Sequence, residues 1–179
     1  MNEKTIRKSL IRLHSFCKNE GYIGYSLYDS HLSLIPFKKL GTTLSFLVNQ
    51  VNKRSPFNLR PILGIKKDIN PKGYGLFLHA YSMLADMDII DKNEAEEMAH
   101  FFFKWLIENS SKGYSGYCWG YNYYWPKKDG NDVPPYMPSV VVTGFVARGL
   151  MAYYEKFKNE KVKDVLSSAT DFVLNDINL

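Results

Sequence analysis

The sequence predicts an all-helical protein made of antiparallel helix hairpins whose members alternate between an inner and an outer layer. Three features carry that prediction. Six segments hold apolar residues at helical spacing. With the short stretch 29–37 counted as an inner element, they alternate between a single apolar stripe and near-complete apolar coverage, and the connections alternate between long and short.

The first segment places Ile6, Leu10, Leu13, Phe16 and Cys17 on one face of a helix over residues 5–19, stopped by Gly21. The short stretch 29–37 reads as an inner element. Residues 42–53 follow a Thr42/Thr43 cap and carry Leu44, Leu47, Val48 and Val51 as the stripe of an outer helix. From 74 to 87 the pattern changes. Tyr74, Leu76, Leu78, Ala80, Tyr81, Met83 and Met87 cover most of the circumference, which predicts a buried inner helix. Residues 93–108 return to one stripe (Ala95, Met98, Ala99, Phe102, Leu106). Residues 139–155 are again apolar nearly all round, with Gly144, Ala147 and Gly149 small enough for close helix approach, and 160–174 form a last amphipathic helix.

Antiparallel alternation puts every outer-to-inner loop at one end. Those loops, 20–28, 54–73 and 109–138, are long and rich in Gly, Pro and aromatics, whereas 38–41, 88–92 and 156–159 are short and polar. Long loops in a compact domain tend to be functional, so that end is expected to hold the site. Gly21-Tyr22-Ile23-Gly24-Tyr25 recurs as Gly113-Tyr114-Ser115-Gly116-Tyr117, each after an amphipathic helix, as a repeated hairpin connector would. The first Gly of each copy is expected to close its helix in the left-handed conformation, with the Tyr packed over the last turn.

A chain of 179 residues, 45% apolar and 23% charged, suits one globular domain. Cys17 and Cys118 provide no disulfide framework and no metal spacing, so neither a metal nor a cofactor is expected. The N-terminal residues lack a signal peptide's apolar core, and no apolar run approaches the roughly 20 residues of a membrane span. A cytoplasmic location without a membrane partner follows as the expectation. The net charge of +5 is partly concentrated in Lys53, Arg54, Arg60, Lys66, Lys67 and Lys72. That cluster is either a solvated surface or a site for an anionic partner such as an acidic sugar, a sugar phosphate or nucleic acid.

The densest chemical feature is aromatic. Tyr114, Tyr117, Trp119, Tyr121, Tyr123, Tyr124 and Trp125 fall within twelve residues. Rings with polar tips suit a sugar, whose C–H face stacks while its hydroxyls find partners at the ring edge. The alternative is a loop cover over the inner helices. Nucleic acid is not expected, because no interleaved basic groove accompanies the rings. Glycoside hydrolysis needs two carboxyl groups and uronate elimination a base with a neutralising neighbour. Asp29, Asp68, Asp129 and Asp132 are available, with Tyr28, His31 and Tyr121 as proton carriers. Asp29 and His31 form the most compact couple, although Asp29 or Ser30 also suits a helix cap. His79 reads as a core histidine and Cys118 as a small packed residue. No Asp-rich motif for Mg²⁺ and pyrophosphate is present.

Tyr28-Asp29-Ser30, the run from Lys53 through Arg60-Pro61 to Ile65, Asn70-Pro71-Lys72-Gly73, Cys118-Trp119-Gly120-Tyr121 and Pro138-Ser139-Val140-Val141-Val142-Thr143 together resemble bacterial proteins of surface-polysaccharide gene clusters. The resemblance implies an α/α toroid, similar in architecture to six-hairpin glycosidases and polysaccharide lyases. It further implies a carbohydrate-processing or carbohydrate-handling function on an acidic or phosphorylated saccharide. Asp29, His31 and Tyr121 would carry the chemistry. Tyr25, Tyr28, Arg60, Lys67, Tyr117, Trp119, Tyr123 and Trp125 would contact the sugar. Two departures stand out. Ser26-Leu27-Tyr28-Asp29-Ser30 replaces an Asp-Pro-Tyr-Asp-Gly pattern and lacks one carboxylate, and the family is roughly twice this length, so the expectation is either a split or truncated copy or a ring completed by a second copy or a second chain. The competing expectation is a non-catalytic helical module that binds a glycan or a protein.

Overall fold

The computed structural model describes residues 2–26, 29, 33–35, 41–125, 127 and 131–177. Tyr28, His31 and Asp129, with most of the expected inner element at 29–37, lie outside these residues. The described chain is all-α. It contains α1 (Glu3–Asn19), α2 (Thr42–Arg54), α3 (Pro71–Leu84), α4 (Lys92–Glu108), α5 (Val140–Phe157) and α6 (Lys161–Asn175), with only isolated β-bridges among the loops. Each helix lies within three residues of its predicted span. The largest difference is at α3, which begins at Pro71, where proline's fixed φ and missing N–H suit the first helical position.

The chain divides into two compact units. The first comprises Met1–Tyr22, Pro71–Gly120 and Pro138–Leu179, and the second Ile23–Asn70 and Tyr121–Met137. In the first, α3 packs on α5, α4 on both, and α6 on α5. The α3–α5 contact depends on two glycines. Gly75 lies against the Val146 backbone, and a Cβ on Gly149 would overlap the Gly75 carbonyl. The α3–α4 contact is aromatic instead. Tyr74 and Phe77 bring their rings to 4.9 and 5.4 Å from that of the fully buried Phe102, and Trp105 closes on Tyr74 at 4.8 Å. Tyr153 of α5 stacks on Phe103 at 4.5 Å and meets His100 Nδ1 through its hydroxyl at 2.6 Å, joining α4 to α5.

Side-chain oxygens cap α4 and α5 but not α2, whose N-cap is Gly41, without a side-chain cap, rather than the expected Thr42/Thr43. Asp91 accepts from the Glu94 N–H and Ser139 from the Val142 N–H. Gly21, at φ +63°, ends α1 as expected, with the Tyr22 N–H reaching back to the Cys17 carbonyl. Gly113 takes the same left-handed conformation at φ +87°. The tyrosine rings also reach other helices: Tyr22 lies 5.2 Å from Phe102 of α4 and Tyr114 5.9 Å from Phe172 of α6, so each connector staples its loop to a neighbouring helix.

α1 is held differently from the others, since none of its residues is buried. A polar clasp joins it to α3 and α4. His14 meets the Tyr81 hydroxyl through Nδ1 at 2.8 Å and Glu94 through Nε2 at 3.4 Å, and Lys18 donates to Glu94 at 2.5 Å. Tyr22 adds a 2.9 Å contact to the Tyr81 hydroxyl. Its Lys18 hydrogen bond, followed by the charge of His14, holds the Glu94 carboxyl below the usual carboxylate range.

Two expectations of burial are overturned. α3 is not covered all round: Leu76, Ala80 and Met83 form a stripe facing water, continued by Met87 past the helix end. On α5, Val140, Val141 and Met151 are exposed, and an apolar groove of about 460 Å³ opens between α5 and α6 beside Gly144, Ala147 and Leu166. Both stripes lie opposite the buried faces, where the described residues supply no further helix.

Two experiments test this packing. Gly149→Ala, which forces the α3 backbone away, should lose about 1–3 kcal/mol in urea unfolding. Gly144→Ala, with open space at its Cβ, should be neutral or gain up to ~1 kcal/mol of helix propensity. For the clasp, the folded carboxyl of Glu94 titrates below its unfolded counterpart, so its contribution is complete above the unfolded value and lost as pH falls through the folded one. Hydrogen exchange of α1 amides, corrected for intrinsic rates, should therefore accelerate relative to α4 below about pH 4, and Glu94→Gln should remove that pH step.

Candidate functional site

The second unit brings together parts of all three long loops. Gly24 and Asp68 exchange both backbone hydrogen bonds, at 3.0 and 2.9 Å, in an antiparallel bridge between the first loop and the second. The Asp68 carboxylate then accepts from its neighbour's Ile69 N–H at 2.7 Å and from Asn122 Nδ2 of the third loop at 3.0 Å. Every tied residue sits beside a candidate contact residue in sequence: Tyr25 after Gly24, Lys67 before Asp68, Tyr121 and Tyr123 either side of Asn122.

The second loop folds on itself to present Arg60. Gly64, at φ +68°, turns the chain so that the Leu63 and Ile65 N–H groups return to the Leu59 and Arg60 carbonyls, and Ile65 is buried behind them. Arg60 Nε then meets both oxygens of Asp29, at 3.1 and 2.9 Å, and its Nη2 donates to the Ser26 carbonyl. The Ser26 N–H and Asn52 Nδ2 complete the shell of the carboxylate, which is 1% exposed. Two predicted site residues are thus joined, but to each other. With its charge neutralised and both oxygens bonded, Asp29 is arranged to hold two loops and α2 together.

That polar centre explains why α2 is inverted relative to expectation. Its predicted core stripe faces outward, with Leu47 52% and Val51 61% exposed and Leu44 also exposed, while Asn49 and Asn52 are buried. A buried carboxylate–guanidinium pair requires polar neighbours, and Asn52 of α2 supplies one through its Nδ2.

The aromatic run divides at Gly120. Before it, in the first unit, Trp119 is completely buried and donates its indole N–H to the Leu106 carbonyl at 2.8 Å. Tyr117, half-buried, donates its backbone N–H to the Ser168 hydroxyl oxygen and lies 6.1 Å from the Trp119 ring. Cys118 is buried too, and burial raises its thiol to about 11, so it packs as a protonated side chain. His79 on α3 is half-buried rather than a core histidine.

After Gly120, in the second unit, Tyr121 and Tyr123 stack at 4.8 Å, and Trp125 pairs with Val133 across an antiparallel bridge. Tyr121 is half-exposed and Trp125 exposed, while Tyr123 is buried. Arg60 Cζ and Lys67 Nζ lie 5.4 and 5.8 Å from the centroid of the half-buried Tyr25 ring. Asp132 receives the Tyr124 hydroxyl and the Lys127 N–H, and burial, reinforced by that carboxylate, pushes the Tyr124 phenol up to about 12. Burial and then the charge of Asp68 likewise raise Tyr136. These phenols keep their protons, and that of Tyr124 is donated to Asp132. Among the described residues no group of His, Cys, Asp and Glu is placed to hold a metal ion.

Asn122 and Tyr136 are the contributors that sequence reasoning missed. Asn122 is the one amide inside the run Tyr121–Trp125, a usable signal for a bonding role, although nothing local points to a partner 54 residues away. Tyr136 adopts φ +62° and its N–H reaches the Tyr121 carbonyl at 2.6 Å, closing the third loop.

Fold and loops define an all-helical protein with an aromatic and cationic loop unit. No family model, curated protein or solved structure matches the chain. The Asp29–Arg60 pair is directly testable. Arg60→Ala strands a buried carboxylate and should destabilise the second unit by about 3 kcal/mol, measured as earlier proteolysis within 23–70, with Arg60→Lys failing to restore the paired contacts to the Asp29 carboxylate and the Ser26 carbonyl.

Proposed function

We propose that the second unit binds an anionic saccharide and that the chain handles carbohydrate by recognition. The observation that carries this reading is the Asp68 tie, which gathers Tyr25, Lys67, Tyr121 and Tyr123 around one bonded centre. Tyr121 and Trp125 offer partly open rings to a sugar's C–H face, and the Lys67 ammonium beside Tyr25 offers a positive counter-charge to a carboxylate or phosphate. The catalytic form of the reading, as a glycoside hydrolase or polysaccharide lyase, draws less support, because the carboxylate of Asp29 is enclosed by Arg60, Ser26 and Asn52.

The resemblance to surface-polysaccharide proteins agrees with this assignment, and with a further one, that the hairpins α3–α4 and α5–α6 are segments of an α/α toroid. Adjacent α3 and α5, backed by α4 and α6, suit inner and outer layers, and their open apolar stripes suit a ring completed by more helices.

Calorimetry with acidic oligosaccharides and neutral ones of equal length tests the proposal. Binding of the acidic series should weaken roughly ten-fold in Tyr121→Ala, by loss of a stacking face, and should lose much of its salt dependence in Lys67→Ala. Equal affinity for neutral and acidic sugars, or no binding to either, contradicts it.

A further inference from the structure

The second unit carries all of the net charge. Residues 23–70 and 121–137 contain nine Lys and Arg against four Asp, a net +5 equal to that of the whole chain, so the first unit is balanced. Within it, residues 30–67 hold seven Lys and Arg and no acidic residue.

The same stretch contains the three most exposed large apolar side chains among the described residues: Leu34 at 85%, Ile62 at 83% and Phe57 at 76%. None of them is on a helix. The Leu34 N–H donates to the Leu63 carbonyl at 3.0 Å, and the Leu34 side chain lies where any Cβ on Gly64 would fall, so this residue sits on the turn that carries Ile62. Arg54, at the end of α2, and Lys66, just past the turn, are both exposed.

We infer that this face of the second unit docks on an anionic lipid surface, with Leu34, Phe57 and Ile62 entering the headgroup and acyl boundary while Arg54 and Lys66 meet lipid phosphates. Apolar side chains projecting from loops among cations combine the two signals that reversible membrane attachment requires, apolar insertion and charge attraction. A soluble polyanion or nucleic acid would use the cations and leave the apolar tips in water. A second copy would set one cationic face against another. Among the described residues no helix is long and apolar enough to cross a membrane, and surface attachment needs none. The inference is independent of the saccharide reading, whose residues it does not use.

The test is co-sedimentation of the full chain with phosphatidylcholine vesicles, with and without about one third phosphatidylglycerol. The chain should sediment with the anionic vesicles, weaken with added salt, and bind neutral vesicles at least roughly ten-fold less. Phe57→Ser with Ile62→Ser, and separately Arg54→Glu with Lys66→Glu, should each reduce binding by roughly ten-fold or more. Their circular dichroism should be unchanged, since the altered side chains are exposed. Failure to bind anionic vesicles, equal binding to neutral ones, or undiminished binding by the folded Phe57/Ile62 variant overturns the inference. So does loss in that variant of a self-association present without lipid, which would assign the patch to a second copy.

Discussion

Asp68 uses its backbone N–H, its carbonyl and one carboxylate oxygen to hold together segments of the chain that are far apart in sequence, while its other carboxylate oxygen takes the N–H of the adjacent Ile69. Its backbone groups fix the first loop through Gly24, and its side chain fixes the third through Asn122. Without this bonding, Tyr25, Lys67, Tyr121 and Tyr123 would belong to separate loops, and positioning them for one ligand would incur the ordering cost of each. The tie converts three connections into a surface with defined chemistry.

The two units are stabilised by different physics. In the first, two glycines let α3 and α5 approach backbone to backbone, and aromatic rings fill the wider gap between α3 and α4. In the second, a carboxylate, a guanidinium and two asparagines occupy the interior, and α2 turns its apolar side outward to place them there. This inversion costs hydrophobic burial and leaves Leu44, Leu47 and Val51 in contact with water. In exchange the interior specifies a single loop arrangement, because the Arg60 guanidinium must meet the Asp29 carboxylate through Nε and the Ser26 carbonyl through Nη2 at once.

Periodicity was enough to locate α1, α4 and α6, and the stripes of α4 and α6 are buried, whereas that of α1 leaves Leu13 and Phe16 exposed. It also found α3 and α5, but read full apolar coverage as full burial, because a helix lacking a neighbour on one side has the same composition as one that is enclosed. α2 shows the deeper difficulty. Leu44, Leu47 and Val51 gave the expected stripe, and only the Asp29–Arg60 pair, made between residues 31 apart, reveals that the other side faces inward. The aromatic run had the same character: its density was visible, whereas its division at Gly120, with Trp119 in a helical core and Tyr121 in the loop unit, depends on which bonds each side makes. The gathering of the long loops, read from alternation alone, agrees with the Gly24–Asp68–Asn122 contacts.

The most direct test of the central tie is amide hydrogen exchange at Gly24 and Asp68, resolved by NMR on the intact chain. Both N–H groups donate across the bridge, so both should exchange at least roughly a hundred-fold more slowly than in an unstructured peptide, with the protection reduced together in Asn122→Ala. Exchange at the unstructured rate in the folded protein would contradict the account, since the loops would then have no common anchor and no shared site.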